Sequence, residues 1–583
     1  MAPWSAGLWL ALAAHAQTPV ILISIDTLRA DHLGIYGSRS ISTPHIDAFA
    51  RQGTVFDAIA CQVPLTLPSH TALFTSTYPF ANHVEENDGQ VAAGAATLAG
   101  VLHAHGYRTA AFIGSALLDR HLGLDQGFDF YDSPFTASSA GPRNPLAVGV
   151  RRDGALVVRA ARQWLAENHG QPVFAFLHFF DLHAPYAHAA SSNGLPNASG
   201  YDAEIEYVDR LVGQLQQALA AGGWWDRSLV VLLSDHGESL GDHGETSHGY
   251  FIYQSTLRTP LAFHWPAGTS GYAERVAAPG GLIDVAPTIL DFLKLPAPPQ
   301  FAGASLLAAA RTGKDDGRAV YSESVYARDA FHWAALRGIR TGAYQYIDAP
   351  KAELYDLARD PAERHNLAGE NPALAQKLRG QLGDLMARHT NAAGTAPAVS
   401  AERRRMLESL GYLGGNGGAE KSTAADPKDK LAEYNLYEKS LAAMYAGHPR
   451  EAITSFRQLL AADPHNSLAR YYLGDACLRA GQSEAALREW DTALQIDPEY
   501  APAAEALGAW WMGRENYAKA RAYFQKALAA APRDSTALLE EGIAEERLGL
   551  RQEALRHIED ACKLAPGLPR CARELEAARQ QAK

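Results

Sequence analysis

The sequence predicts an α/β domain, with a mostly parallel sheet covered by helices, followed by an all-α helical solenoid. Two observations carry this prediction. In the N-terminal part, continuous apolar runs alternate with Ala/Leu-rich stretches of helical length, which is typical of parallel sheets covered by helices. In the C-terminal part, the same residue types return every 34 positions, which is typical of a helical repeat array.

The composition is that of a globular protein and excludes several other classes. Hydrophobic residues make up 47% and charged residues 20% of the 583 positions, so neither a disordered chain nor a collagen-like repeat is expected. The net charge of −12 argues against a nucleic-acid partner, which would favour a basic face. The four cysteines show no C-x-x-C spacing and are too few to staple the fold; Cys61 is predicted to be a buried thiol. No apolar run approaches the roughly 18 residues of a membrane span, so no transmembrane segment is predicted.

The first sixteen residues predict a secretory signal peptide. They are apolar from Ala6 to Ala14 and end in Ala14-His15-Ala16, a small-x-small site that places cleavage before Gln17. This segment carries no Lys or Arg, so a frayed N-terminal helix is the alternative. The signal predicts a periplasmic or secreted protein.

Four apolar runs, rich in Val, Ile, Leu and Phe, predict strands that are buried on both faces. They are VILISI (20–25), RTAAFI (108–113), VFAFLHFF (173–180) and LVVLLS (229–234). Helices are predicted between them over Gly154–Glu167 and Tyr201–Ala221, and a smaller strand-rich subdomain follows with AVYSES, AYQYIDAP and ELYDL. We therefore predict one domain over residues 17–390 and a Gly/Ala/Ser/Thr-rich linker over 391–426.

The remaining residues, 427–583, contain an internal repeat. Glycine marks the first helix of each unit, alanine and then a large residue mark the second, and proline follows. The series are Gly474, Gly508 and Gly542; Ala452, Ala486, Ala520 and Ala554; Phe456, Trp490, Phe524 and Ile558; and Pro464, Pro498, Pro532 and Pro566. This pattern resembles tetratricopeptide (TPR) repeats and predicts a solenoid of about four repeats, with Leu568–Lys583 as a capping helix. Its groove is predicted to bind a protein or peptide partner, with a passive spacer as the alternative.

Polar residues follow the ends of three predicted strands. Asp26 ends the first strand, Asp181-Leu182-His183 follows the third, and Asp235-His236 follows the fourth. Open α/β sheets bind ligands at the carboxyl ends of their strands, so these carboxylates and imidazoles are expected to converge. His248 lies twelve residues after His236, across a Gly-rich polar loop that is typical of ligand binding.

Thr66 lies in a segment that predicts an anion-binding helix start. Pro68 suits the first turn of a helix, which places Thr66 just before the helix N-terminus. Free N–H groups and the positive end of the helix dipole there favour a phosphoryl or sulfuryl group. The alternative is that Thr66 only caps the helix.

Taken together, seven segments follow one another in the order seen in sulfatases and their alkaline-phosphatase-superfamily relatives. They are IDTLRADHLGIYG, the segment around Thr66, HFFDLHAPY, SDHGESLGDHGETSHG, STLRTPL, LIDVAPTILDFL and AELYDLARDPAERHNLA. The resemblance covers roughly residues 19–388 and implies an alkaline-phosphatase-like fold. It also implies that Asp26, Asp235 and His236 bind a divalent metal together with the nucleophile, and that His183 and His248 face the substrate or a second metal.

The chain departs from the sulfatase pattern at three positions. Thr66 stands where sulfatases carry the Cys or Ser that is converted to formylglycine, and His70 stands where the motif has arginine. Thr27 follows Asp26, where many sulfatases have a second aspartate. A threonine nucleophile makes the chain more similar to lipid phosphoethanolamine transferases, which carry membrane helices, and to nucleotide phosphodiesterases of the superfamily.

Carboxylates, an alkoxide and an imidazole suit Zn²⁺ or Mn²⁺ better than the all-oxygen shell that Ca²⁺ prefers, and Ca²⁺ is the alternative. The prediction is therefore a metal-dependent hydrolase of anionic phosphate or sulfate esters, with phosphate favoured, that forms a covalent Thr66 ester. His183 or His248 is expected to protonate the leaving group, with His70 and Arg258 at the substrate.

Two other histidines are given no catalytic role. His178 alternates within a strand and is predicted to be structural, and His243 is predicted to be a solvated loop residue. The rival functions are a phosphoethanolamine-type transferase and a catalytically silent domain whose solenoid binds a partner.

Overall fold

The computed structural model describes residues 18–135, 151–184, 186, 198–390, 424–532, 534–564 and 570–581. Within these ranges the chain forms two compact units, the first drawn from residues 18–325 and 335–390 and the second from 326–334 and 424–581. The predicted signal peptide and most of the predicted linker lie outside the described residues.

The first unit is built on an eight-stranded sheet with the order β4-β3-β5-β1-β6-β7-β2-β8. Five of the seven neighbouring pairs are parallel, and β7 is antiparallel to both of its neighbours, so the predicted mostly parallel α/β sheet is confirmed. The strands are β1 Val20–Ile25, β2 Thr54–Ala60, β3 Arg108–Phe112, β4 Phe130–Asp132, β5 Val173–Phe179, β6 Leu229–Leu233, β7 Arg258–His264 and β8 Arg275–Gly281.

Helices cover this sheet, as the alternation of patterns predicts. The helices of this unit are α1 Pro44–Ala50, α2 Thr66–Thr75, α3 Pro79–Asn82, α4 Leu98–Ala104, α5 Gly154–Glu167, α6 Ala198–Ala221, α7 Gln254–Leu257, α8 Val285–Phe292, α9 Leu307–Thr312 and α11 Pro372–His389. In chain order α10 is Tyr326–Phe331, which belongs to the second unit. Ile23 of β1, Leu177 of β5, Val157 of α5 and Leu211 of α6 belong to one buried core. Burial of these side chains stabilises the sheet by roughly 1.5–3 kcal/mol each.

The position of β1 in the centre of the sheet creates the site. β1 pairs in parallel with β5 on one side and β6 on the other, with Ser24 opposite His178 and Leu233. Parallel strands end at the same edge of a sheet, so the residues that follow β1, β5 and β6 meet there.

The predicted strand-rich subdomain is a four-stranded antiparallel sheet with the order β12-β11-β10-β9. Its strands are β9 Ala319–Ser324, β10 Leu336–Thr341, β11 Tyr344–Asp348 and β12 Glu353–Asp356. Helix α11 packs on it through Leu378, Leu382 and Leu385, whose spacing places them on one helical face.

The second unit contains the predicted TPR solenoid, which is confirmed as four helical hairpins and a final helix. Its helices are α12 Leu431–Tyr445, α13 Pro449–Ala462, α14 Ser467–Arg479, α15 Ser483–Ile496, α16 Ala501–Met512, α17 Tyr517–Ala530, α18 Ser535–Arg547, α19 Arg551–Leu564 and α20 Cys571–Gln581. The repeated glycines make close helix contacts possible. A Cβ on Gly508 would lie 2.7 Å from the ring of Phe524, and one on Gly542 would lie 2.6 Å from Ile558.

The cysteines behave as predicted in one respect and differ in another. Cys61 is a buried free thiol, as expected. Cys562 and Cys571 form a disulfide between α19 and α20, which the absence of a C-x-x-C spacing did not indicate. This disulfide joins two consecutive helices, so it does not constrain the fold as a whole. Within the described ranges, no helix has the length and apolar character needed to cross a membrane.

Candidate active site

Four predicted site residues meet at the carboxyl edge of the large sheet. Asp26 follows β1, and its N–H donates to the carbonyl of Phe179 in β5 at 2.9 Å. Asp235 and His236 lie just beyond β6, and Thr66 is the first residue of α2. The side chains of Asp26, Thr66, Asp235 and His236 are all fully buried, so the surrounding protein fixes their geometry.

The Thr66 hydroxyl group faces Asp26 rather than the backbone of its own helix. Thr66 Oγ1 donates to Asp26 Oδ2 at 3.2 Å. The N–H of Leu67, in the first turn of α2, is satisfied instead by Asn87 Oδ1 at 2.8 Å. Asn87 therefore supplies the helix cap, and the alternative that Thr66 only caps the helix finds no support in these contacts.

Three ligand-type atoms in this cluster are buried and have no hydrogen-bond partner among the described residues. They are Asp26 Oδ1, Asp235 Oδ2 and His236 Nε2. His236 Nδ1 donates to the carbonyl of Gly237 at 2.9 Å, so its Nε2 carries a free lone pair. The cluster offers one ligand atom from each residue within 4.8 Å of the others. Buried polar atoms without partners are uncommon in native proteins, and these residues fit a divalent cation.

The two carboxylates differ in their affinity for a proton when no cation is bound. Burial and the charge of Asp26 raise the pKa of Asp235 well above its ordinary value. Burial also acts to raise the pKa of Asp26, but the hydrogen bond from His178 and the nearby His236 outweigh it and hold that pKa below its ordinary value. Like charges held close in a buried site cannot both ionise readily, which is why the two pKa values separate.

A second group, His70, His178 and Asp235, also has ligand-type atoms within 4.8 Å of one another. Both nitrogens of His70 are engaged: Nδ1 lies 2.7 Å from the carbonyl of Thr66, and Nε2 lies 3.0 Å from Ser24 Oγ. We therefore assign His70 to hydrogen bonding, not to metal binding. His70 is fully buried next to the backbone of Thr66, and its predicted contact with the substrate stays a prediction.

His178 was predicted to be structural, and the structure places it inside the site. Its Nε2 lies 3.3 Å from Asp26 Oδ2, and its side chain is fully buried. The sequence signal for this contact was weak, because a histidine at an inward position of a buried strand is also compatible with a core role. Only the pairing of β1 with β5 brings the two side chains together.

His183 and His248 lie close to His236, and their predicted position facing the substrate or a second metal stays a prediction. The ring centroid of His248 is 4.5 Å from that of His236 and 5.3 Å from that of His183. His248 Nδ1 lies 3.1 Å from Glu238 Oε1. Burial lowers the pKa of both His183 and His248 to about 4 and raises the pKa of Glu238 to about 7. Glu238 was not assigned from the sequence, although it lies two residues after His236 in the same motif.

Arg258 and His243 are found in other surroundings. Arg258 is the first residue of β7; its Nε donates to the carbonyl of Asp57 at 3.0 Å, and its guanidinium lies 5.6 Å from the ring centroid of Tyr36. Its predicted contact with the substrate stays a prediction. His243 is half-buried and stacks on Tyr253 at 3.7 Å, so it is less solvated than expected.

Thr27, at the position of the second aspartate of many sulfatases, has a strained backbone. Its φ of 57° is rare for a β-branched residue. Its N–H donates to Asp235 Oδ1 at 3.2 Å, and its carbonyl accepts from Tyr201 at 2.6 Å. These contacts hold the turn after β1 in place, and strain of this kind concentrates at functional sites.

Comparison with known families matches different family models to the N-terminal and the C-terminal part of the chain. A family model described as Sulfatase matches residues 18–295, and one described as N-sulphoglucosamine sulphohydrolase, C-terminal, matches residues 241–389. A tetratricopeptide repeat model matches residues 437–501 and 512–569.

Individual relatives are distant but cover most of their own length. An ulvan-active sulfatase from Formosa agariphila is 23% identical over 395 residues, covering 60% of this chain and 77% of the relative. Arylsulfatase D from Homo sapiens is 22% identical over 526 residues, covering 66% of this chain and 88% of the relative. The crystal structure of the phosphonate monoester hydrolase of Agrobacterium radiobacter aligns with a TM-score of 0.52 and 24% identity, covering 64% of this chain and 96% of that one. At this identity the structural likeness shows the fold alone.

Proposed function

We propose that this enzyme, whose residues 18–389 belong to the sulfatase family, hydrolyses phosphate or sulfate esters by in-line attack of Thr66. The observation that carries the proposal is the position of the Thr66 hydroxyl group. It is fully buried and donates to Asp26 Oδ2 at 3.2 Å, on the same carboxylate whose Oδ1 has no partner. A hydroxyl group held in this way is poised to lose its proton and act as a nucleophile.

Asp26 Oδ1, Asp235 Oδ2, His236 Nε2 and the oxygen of Thr66 would hold a divalent cation. Such an ion would supply positive charge that favours the ionised form of Thr66 and offsets the charge that develops in the transition state. The imidazole in this set favours Zn²⁺ or Mn²⁺, and Ca²⁺ is the alternative.

The reaction divides into two displacements at the same atom. Thr66 gives its proton to Asp26 Oδ2, its hydrogen-bond partner, as its oxygen bonds to phosphorus or sulfur and the ester bond on the opposite side breaks. The departing oxygen takes a proton from the protonated form of His183 or His248. Burial lowers the pKa of both imidazoles to about 4, and a bound anion would raise both pKa values and so favour the protonated form that donates. Water then attacks the covalent Thr66 ester at phosphorus or sulfur, which releases the inorganic anion and restores the hydroxyl group.

The chemistry of Thr66 favours phosphate esters. A phosphothreonine is released by attack of water at phosphorus, whereas formylglycine releases sulfate by elimination, a route that a threonine ester lacks. The fold is shared with a phosphonate monoester hydrolase, which is compatible with this preference. Sulfate esters are the second candidate, because the named relatives are sulfatases.

The test is turnover of nitrophenyl phosphate, bis-nitrophenyl phosphate and nitrophenyl sulfate with Zn²⁺, Mn²⁺ or Ca²⁺. Thr66→Ala is expected to abolish turnover, and acid-quenched wild-type enzyme should yield a phosphorylated Thr66 peptide by mass spectrometry. Thr71→Ala is the matched control: Thr71 is a buried threonine of the same helix whose hydroxyl donates to the Leu67 carbonyl at 2.8 Å, and its loss should leave turnover nearly intact. If Thr66→Ala still turned over these substrates, the assignment of Thr66 as the nucleophile would be wrong.

The same assay separates the rival functions. A transferase would require an added alcohol acceptor for rapid turnover, whereas a hydrolase would not. A catalytically silent domain would show no turnover with any of the three cations, while partner capture by the solenoid would survive Thr66→Ala and chelation.

Export to the periplasm or beyond is part of the proposal. Supporting it are the signal-like first sixteen residues and the disulfide between Cys562 and Cys571, since disulfides persist mainly in oxidising compartments. N-terminal sequencing of the mature protein is expected to begin at Gln17. The solenoid is proposed to bind a protein or peptide in its groove, as helical repeats commonly do.

A further inference from the structure

Two buried imidazoles, those of His70 and His178, form what we call the imidazole floor of the site. Their ring centroids lie 5.0 Å apart with an interplanar angle of 87°, and both side chains are fully buried. His70 comes from α2, one helical turn after Thr66, and His178 comes from β5. His70 stands at the sequence position where the sulfatase pattern has arginine, so one of these two imidazoles is found in place of a guanidinium group.

The protonation of His70 follows from its partners. A carbonyl oxygen only accepts, so the contact of 2.7 Å with Thr66 places the proton on Nδ1. Nε2 then accepts from the hydroxyl of Ser24 at 3.0 Å. His70 thus connects the backbone of Thr66 to strand β1, which ends at Ile25, directly before Asp26.

The same reasoning applies to His178. A carboxylate only accepts, so the contact of 3.3 Å with Asp26 Oδ2 places the proton of His178 on Nε2. Asp26 Oδ2 therefore accepts from both His178 and Thr66, while Asp26 Oδ1 is left without a partner. Both oxygens of a carboxylate are chemically equal, so these two donors decide which of them faces the cation position.

We propose that His178 is a positioning residue that orients Asp26 toward the cation and toward Thr66, with His70 holding the Thr66 backbone, so that the imidazole floor replaces the missing arginine. The proposal rests on the proposed function for its catalytic consequence, but its effect on cation binding does not. Hydrogen-bonded partners of ligating carboxylates orient the ligand, and their loss typically costs roughly 10–100-fold in metal affinity or activity. The contacts of His70 favour this role over the predicted contact with the substrate.

The experiment compares two substitutions at position 178 by competition with a chromogenic chelator for Zn²⁺ and Mn²⁺. His178→Phe keeps an aromatic ring beside Phe176 but removes the donor, and roughly 10–100-fold weaker binding is expected. His178→Gln restores an N–H at similar reach, and binding should return close to the wild-type value. Thermal unfolding in excess chelator, which removes the cation, checks that both variants fold. If His178→Phe does not fold, His178→Leu is used in its place.

His264→Phe is the matched control. His264 is a buried histidine of the same sheet that stacks on Trp225 at 4.0 Å, away from the cation ligands, so its loss should leave cation affinity unchanged. Equal affinity of folded His178→Phe and wild type would overturn the proposal, and so would equal weakening in the Phe and Gln variants, because packing would then be the cause.

The outcome is separable from that of the proposed function. If Thr66→Ala abolishes turnover while His178→Phe binds cations normally, the positioning role fails and the nucleophile stands. If His178→Phe weakens cation binding while Thr66→Ala still turns over substrate, the imidazole floor stands and the nucleophile assignment fails.

Discussion

Replacement of Asp235 by asparagine is expected to stabilise the metal-free protein, although Asp235 is a proposed cation ligand. Asp235 is fully buried beside Asp26, and its pKa is raised well above the ordinary value by burial and by the charge of Asp26. Its Oδ1 accepts from the N–H groups of Thr27 and His236 at 3.2 and 2.9 Å, which the carbonyl oxygen of asparagine can also do. Its Oδ2 makes no hydrogen bond with the described residues and lies 3.5 Å from His236 Nε2, a nitrogen that can accept from the amide NH₂ of asparagine.

The magnitude follows from proton linkage. A carboxyl group whose pKa is raised on folding gives most stability below its unfolded pKa of 3.8 and loses it as the pH rises toward the folded pKa. Keeping such a group protonated costs about 1.4 kcal/mol for each pH unit above 3.8. The gain from Asp235→Asn therefore has a ceiling of about 4 kcal/mol at pH 7 and about 1.5 kcal/mol at pH 5.

The assay is urea or thermal unfolding in excess chelator at both pH values, followed by the same measurement with the cation restored. Asp284→Asn is the matched control, because Asp284 is also buried but accepts from Arg318 at 3.0 Å. Burial raises the pKa of Asp284 too, and the charge of Arg318 opposes that rise. Loss of one partner of a buried ion pair costs about 3–5 kcal/mol, so this variant is expected to be less stable than wild type although its carboxyl group is removed as well. Asp235→Asn should also lose the stabilisation that the cation gives to wild-type protein.

A folded Asp235→Asn variant that is less stable than wild type at pH 7 in chelator would refute this reasoning. A gain of equal size at pH 5 and pH 7 would refute it as well, because a proton-linked effect must shrink on acidification.

Three further predictions concern stability. Burial lowers the pKa of His183 from 6.5 to about 4, so the metal-free protein should lose about 3 kcal/mol of stability as the pH falls from 6.5 to 4. In unfolding curves measured over a series of pH values, His183→Gln should reduce this loss of stability. Gly508→Ala should lower the free energy of unfolding by about 1–3 kcal/mol, because the added Cβ would lie 2.7 Å from the ring of Phe524. Gly383→Ala, at an open helical position, should raise it by about 0.5–1 kcal/mol. Calorimetry that gives both changes the same sign would contradict the packing argument. Reduction of the Cys562–Cys571 disulfide should lower the stability of the solenoid's last helix by about 2–3 kcal/mol, which hydrogen exchange would measure. The Cys562→Ser/Cys571→Ser variant is the control, and its hydrogen exchange should not change when reductant is added.

Much of the fold was predictable because its signals are local. The run VILISI needed no partner to indicate a buried strand, and it forms β1 with the same bounds. The 34-residue repeat encodes each hairpin in its own sequence, so Gly508 and Phe524 could be paired without knowledge of the rest of the chain. Asp26 and Asp235 each follow a predicted parallel strand, and open α/β sheets bind ligands at the carboxyl ends of their strands, so the two residues were expected to lie at the same edge.

The roles of individual side chains were less predictable. Glu238 and His178 were both visible in the sequence, yet neither was assigned to the site. His178 contacts a residue 152 positions away, and that contact depends on β5 lying beside β1 with Ser24 in register. No local pattern encodes a register between distant strands.

The sequence by itself therefore determined the domain types, the central buried strands, the repeats and a set of candidate site residues, because each depends on local periodicity and on rules that hold for all parallel sheets. The tertiary structure alone decided that Asp26 Oδ2 faces Thr66 and His178 while Oδ1 has no partner. Such orientations arise from packing and hydrogen bonding between segments 40 to 152 residues apart, and they exist only once the whole sheet has assembled.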